Sequence, residues 1–73
     1  MFDTAILENA TDTQLMQTEA AYDTAMQRVT AKFGEVTESF KASLWNNIAL
    51  SVVKTGYASA MDYARNASFN PKV

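Results

Sequence analysis

Cysteine and histidine are both absent from the chain. Without thiols there is no disulfide, no thiolate metal site and no cysteine nucleophile. Without imidazole the commonest general base and metal ligand is missing, which leaves only oxygen ligands. The two glycines, Gly34 and Gly56, are too few for a phosphate-cradling loop. Proline occurs once, at Pro71, so no proline breaks a helix before the C-terminal tail. No long hydrophobic run is present either. The densest apolar stretch, Leu44 to Val53, is interrupted by Asn46, Asn47 and Ser51. It falls well short of the roughly 18–20 residues that span a bilayer. Met1-Phe2-Asp3 carries no basic segment and no apolar core follows it, so no secretion signal is seen. The chain reads as soluble, cytoplasmic or incorporated in a particle.

These absences bear on stability. A chain of 73 residues makes one small helical domain, and its core is modest. A lone core of this size supplies about 3–5 kcal/mol, and small chains add disulfides, a metal or oligomerisation. With the first two removed, oligomerisation or partner binding remains.

What is present is a helical seam. Tyr22, Met26, Val29, Phe33, Val36 and Phe40 are spaced 4, 3, 4, 3, 4. That is a period of about 3.5 residues, the spacing of a coiled-coil seam. Leu15 lies seven residues before Tyr22, and Leu44 and Ile48 extend the seam toward the C-terminus. Thr11-x-x-Gln14 fits a capping box and predicts a helix starting near Asp12. The expectation is an all-α chain with one long helix, straight or bent, over about residues 12–66. A short N-terminal turn over Asp3–Glu8 precedes it, and residues 1–10 and 67–73 form flexible arms. The alternative is a two-helix hairpin turning at Gly34. The long helix is preferred because the seam passes from Phe33 to Val36 in phase, and a mid-helix glycine costs only about 1 kcal/mol.

Beyond Phe40 the pattern widens. Leu44, Ile48 and Val52 recur every fourth residue, with Trp45, Ala49 and Val53 beside them. A third stripe is small: Ala42, Ala49, Gly56, Ala60, Ala64 and Ala67. Small residues at such spacings let helix backbones approach closely. Trp45 is either core or an interface anchor. The helix-packing interface is therefore assigned to Leu15, Tyr22, Met26, Val29, Phe33, Val36, Phe40, Leu44, Trp45, Ile48, Val52, Gly56, Ala60 and Ala64.

Charge is polar along the chain although the net is −2. Residues 1–27 carry Asp3, Glu8, Asp12, Glu19 and Asp23 with no Lys or Arg, whereas all six basic residues follow. Such polarity suits head-to-tail packing, or it complements the helix dipole. The plan of acidic start, apolar middle and basic end is loosely similar to that of filamentous-phage coat proteins. The apolar band here is shorter and interrupted and the end is barely basic, so no family is assigned.

Chemistry is sparse. Ser51 and Lys54 share a helix face, but a serine and a lysine three apart on a helix are commonplace. Glu35 and Glu38 lie among lysines and read as a solvated face. Around Asn9 to Asp12 there is one acid, too few for a calcium loop. Arg28, Lys32 and Lys41 are interleaved with acids, so nucleic acid is not a principal ligand. A membrane surface is not an expected partner, since the polar face is not basic. No catalytic, metal or cofactor residue is assigned, and no enzyme is expected. The leading expectation is a structural subunit that self-associates or decorates a larger particle such as a virion or filament. The alternative is a small helical adaptor or inhibitor that fills a groove on a partner protein.

Overall fold

Thr11 opens the first helix in the computed structural model, which describes residues 10–66. Its hydroxyl accepts from the Gln14 N–H at 3.1 Å, and Gln14 Oε1 accepts from the Thr11 N–H at 3.0 Å. This is the capping box read from the sequence, and α1 runs over Asp12–Phe33. Gly34 ends it by taking φ 81°, while its N–H donates to the Thr30 carbonyl at 2.9 Å. An L side chain is strained at that dihedral, so the helix stops where glycine allows it. Thr37 restarts the helical path, its hydroxyl accepting from the Phe40 N–H at 3.0 Å. Helix α2 covers Glu38–Thr55, with Glu38 in its first turn and Lys54 in its last, both complementing the dipole. Gly56, at φ 102°, separates it from α3, Tyr57–Asn66.

The described residues are all-helical, but they do not form one long helix, which corrects the preferred expectation. The hairpin alternative is also incomplete. The chain does turn after Phe33, yet it turns again at Gly56, making three helices. The physical reason is burial. A straight helix leaves every apolar stripe in water, whereas folding back at two glycines covers the stripes within one chain. Against that gain, a continuous helix through Gly34 or Gly56 recovers only a few backbone bonds and still bears the glycine penalty of about 1 kcal/mol at each. The in-phase passage from Phe33 to Val36 does not require a continuous helix, because both side chains are half-buried on opposite sides of the turn. The proposed N-terminal turn and both arms, apart from Ala10, lie outside the described residues.

Each helix packs against the other two, in a body 32 × 24 × 16 Å in extent. The core joins Ala21 and Ala25 of α1, Leu44, Ile48 and Val52 of α2, and Ala60 and Ala64 of α3. Tyr22, Met26, Phe40, Met61 and Tyr63 pack around it, half-buried. Large side chains thus come from α2, while α1 and α3 present alanine at the centre. That division lets two helices approach closely on either side of the bulkier one. Thr18 is also fully buried, and its hydroxyl donates to the Gln14 carbonyl at 2.9 Å, so the buried oxygen carries its own bond.

Candidate interaction surface

The fourteen residues assigned from the sequence separate into three groups. Val29, Leu44, Ile48, Val52, Ala60 and Ala64 are buried within the chain. Tyr22, Met26, Phe33, Val36, Phe40 and Trp45 are half-buried. Gly56 forms the bend after α2, and Leu15 is exposed. Eight of the fourteen meet in or around one cluster: Tyr22, Met26, Phe40, Leu44, Ile48, Val52, Ala60 and Ala64. Val29 is buried outside that cluster, and Phe33 lies beside its own neighbour, with the Lys32 ammonium 5.4 Å from the ring centroid.

The assignment missed Thr18, Ala21 and Ala25, which form the buried face of α1 together with Val29. Their spacing of 3, 4, 4 was visible, but weighting by side-chain size led to the flanking Tyr22 and Met26 instead. Met61 was missed too; with Ala60 and Ala64 it shows the face that α3 turns inward.

The large apolar side chains that face outward are Leu15 from the assigned set, joined by Met16, Leu50, Val53 and Tyr57. Met16 is the most open of them at 69%. It projects from the face of α1 opposite Thr18 and Ala25, a consequence of the 3.6-residue turn. Met16 and Tyr57 wall an open recess of about 280 Å³ shared with Thr13, Gln17 and Ala20. Asp12, Glu19 and Asp23 lie on the same half of α1, all exposed. The recess is largely apolar, with no acidic side chain in its lining.

A second recess, about 290 Å³, lies at the α1–α2 turn between Met26, Thr30, Glu35, Val36, Glu38 and Lys41. Three of its polar side chains, Thr30, Glu38 and Lys41, are engaged locally. The Thr30 hydroxyl donates to the Met26 carbonyl at 2.8 Å, and Lys41 pairs with Glu38 at 3.3 Å. That ion pair is largely solvated and adds little to stability.

Tyr22 and Trp45 meet edge to face, with centroids 5.4 Å apart and an interplanar angle of 76°. Burial raises the Tyr22 phenol above its ordinary 10.0; the Lys41 ammonium opposes the shift and the Glu38 carboxylate reinforces it. A raised folded value means the neutral phenol favours the fold. Its contribution is complete below pH 10 and is lost as pH rises through the folded value. Tyr22→Phe is therefore expected to lessen the fall of the urea midpoint above pH 10, measured against the unsubstituted chain. Identical alkaline slopes would show that Tyr22 ionises as freely in the fold as outside it.

No group of three or more acidic side chains stands ready for a metal ion among the described residues. Ser51 is paired within its helix, where the Thr55 hydroxyl donates to its carbonyl at 2.7 Å and the two hydroxyl oxygens lie 3.3 Å apart. No described helix is long and apolar enough to cross a membrane. No protein-family model, curated protein or solved structure matches the chain.

Proposed function

We propose that the chain is a non-enzymatic assembly subunit, working by contact between its helical surface and further copies or a larger particle. The observation that carries this reading is the recess around Met16 and Tyr57, which leaves apolar side chains in water after the core has closed. The heptad-like seam no longer supports it, because most of those residues pack within one chain. Support also comes from size: a core centred on four alanines and three larger aliphatic residues is thin for independent stability.

The test is light-scattering mass over a concentration and salt series, with electron microscopy of the same samples. The unsubstituted chain is expected to exceed 8.0 kDa as concentration rises. Met16→Glu is expected to weaken association about tenfold or more, since burying a methionine contributes about 1.5–3 kcal/mol and each 1.4 kcal/mol is tenfold. Helicity should not change, because Met16 faces away from the core. A monomer at every concentration would defeat self-association and turn attention to the adaptor reading, in which the same recess sits on a foreign protein.

A further inference from the structure

Gly56 is the only residue between α2 and α3. Connections between packed helices usually take about 2–8 residues. Helical hydrogen bonding reaches this residue from both sides. Its N–H donates to the Val52 carbonyl at 3.1 Å and also to Ser51 at 3.0 Å, and its own carbonyl accepts from the Ala60 N–H at 3.2 Å. The bend thus resides in one pair of dihedrals, φ 102° and ψ 171°, a region that essentially only glycine occupies. A Cβ placed on Gly56 meets nothing within 4 Å, so the dihedral and not the space resists a side chain there.

The sequence on either side suits a straight helix. Leu44, Ile48, Val52, Gly56, Ala60 and Ala64 fall at every fourth position, so on a joined helix the stripe runs on without a break but turns by about 40° at each step, and the inward faces of α2 and α3 point in different directions. Straightening also gives the N–H groups of Tyr57, Ala58 and Ser59 the carbonyls of Val53, Lys54 and Thr55, four residues back.

We propose that Gly56 is the hinge of an α3 exchange between two copies of this chain. In the exchanged pair the turn at Gly34 persists, α2 and α3 join, and each α3 lies in the α1–α2 cleft of the other copy. The burial of Ala60, Met61, Tyr63 and Ala64 is remade between chains with the same partners, so the core is nearly neutral to the exchange. The balance then rests on the hinge. Glycine favours the closed monomer because it accepts φ 102° and is a poor helix former.

This inference names a partner for the assembly reading but does not use the Met16 recess, so the two fail separately. The experiment uses the synthetic 73-residue chain carrying Gly56→Ala or Gly56→D-Ala. L-alanine opposes the bend and favours the helix, whereas D-alanine accepts the positive φ. Two hinges contribute per pair, each about tenfold or more, so Gly56→Ala is expected to raise the association constant about a hundredfold or more. Its mass should reach twice 8.0 kDa, while Gly56→D-Ala stays monomeric under the same conditions.

Because cysteine is absent, Ser39→Cys and Arg65→Cys place two unique spin labels on exposed positions. A joined α2–α3 separates those Cα atoms by about 39 Å, farther apart than the bend at Gly56 leaves them in the folded monomer. Labelled chain diluted with unlabelled chain reports the intrachain distance. A Gly56→Ala chain that remains monomeric, folded or unfolded, would overturn the exchange. So would a dimer whose labels keep the distance they have in monomeric Gly56→D-Ala, since that pair associates without straightening. Assembly of the unsubstituted chain together with either result would keep the assembly reading and remove only the hinge.

Discussion

Ile48→Ala is expected to leave most of the chain unfolded at 25 °C. Ile48 is fully buried and is the largest of the fully buried side chains. Such a truncation removes transfer free energy and leaves a cavity, for about 2–5 kcal/mol in total. The size of the cavity term depends on whether neighbours can move in. Four members of the same cluster are alanines, Ala21, Ala25, Ala60 and Ala64, which have no side-chain rotamers with which to refill the space. The cost should therefore lie toward the upper end of that range. A core of this size supplies only about 3–5 kcal/mol, so one substitution consumes most of it. Circular dichroism at 222 nm with urea titration checks the outcome. Ile48→Val, expected to cost about 0.5–1.5 kcal/mol, should retain a cooperative transition. A normal midpoint for Ile48→Ala would mean that the three helices do not close around this residue.

The opposite error, adding bulk where the helices approach, should be nearly as damaging. Ala60 is fully buried on α3, and a leucine there has to displace a neighbouring backbone or leave its rotamer well. Overpacking of this kind costs about 1–3 kcal/mol or more. Helix α3 has ten residues, below the roughly 12–15 at which isolated helices become even marginal in water. Once detached it should unfold, and Ala60→Leu is expected to remove amide-exchange protection across residues 57–66. Ser59→Leu adds the same volume at an exposed position of the same helix and should leave protection in place. Equal protection in the two variants would show that α3 is not held by close approach at Ala60.

Both expectations rest on alanine, which explains why the core was only half legible beforehand. Helix content, the Thr11–Gln14 cap and the start at Asp12 could all be read directly, because each depends on residues within four positions. The inward residues of α2 were equally plain, since Leu44, Ile48 and Val52 are large and regularly spaced. On α1 the large residues misled. Tyr22 and Met26 flank the contact, and Ala21 and Ala25 occupy its centre. A hydropathy stripe records which side chains avoid water, not how near a second backbone comes. The outward patch was legible only in part: Leu15 belongs to the seam, whereas Met16 lies off it.

The two turns show where local reasoning stops. The amino-acid sequence alone determined that the described chain is helical, where α1 begins, and that Gly34 is a point where it can turn, because caps and glycine dihedrals act over a few residues, whereas Gly56 read as part of a packing stripe. Tertiary structure alone decided that both glycines bend, that α1 buries its alanine face, and that Met16 and Tyr57 stay outside. A glycine inside a helix and a glycine ending one differ by about 1 kcal/mol. Burial of a whole helix face outweighs that difference, and it exists only once the three helices have met.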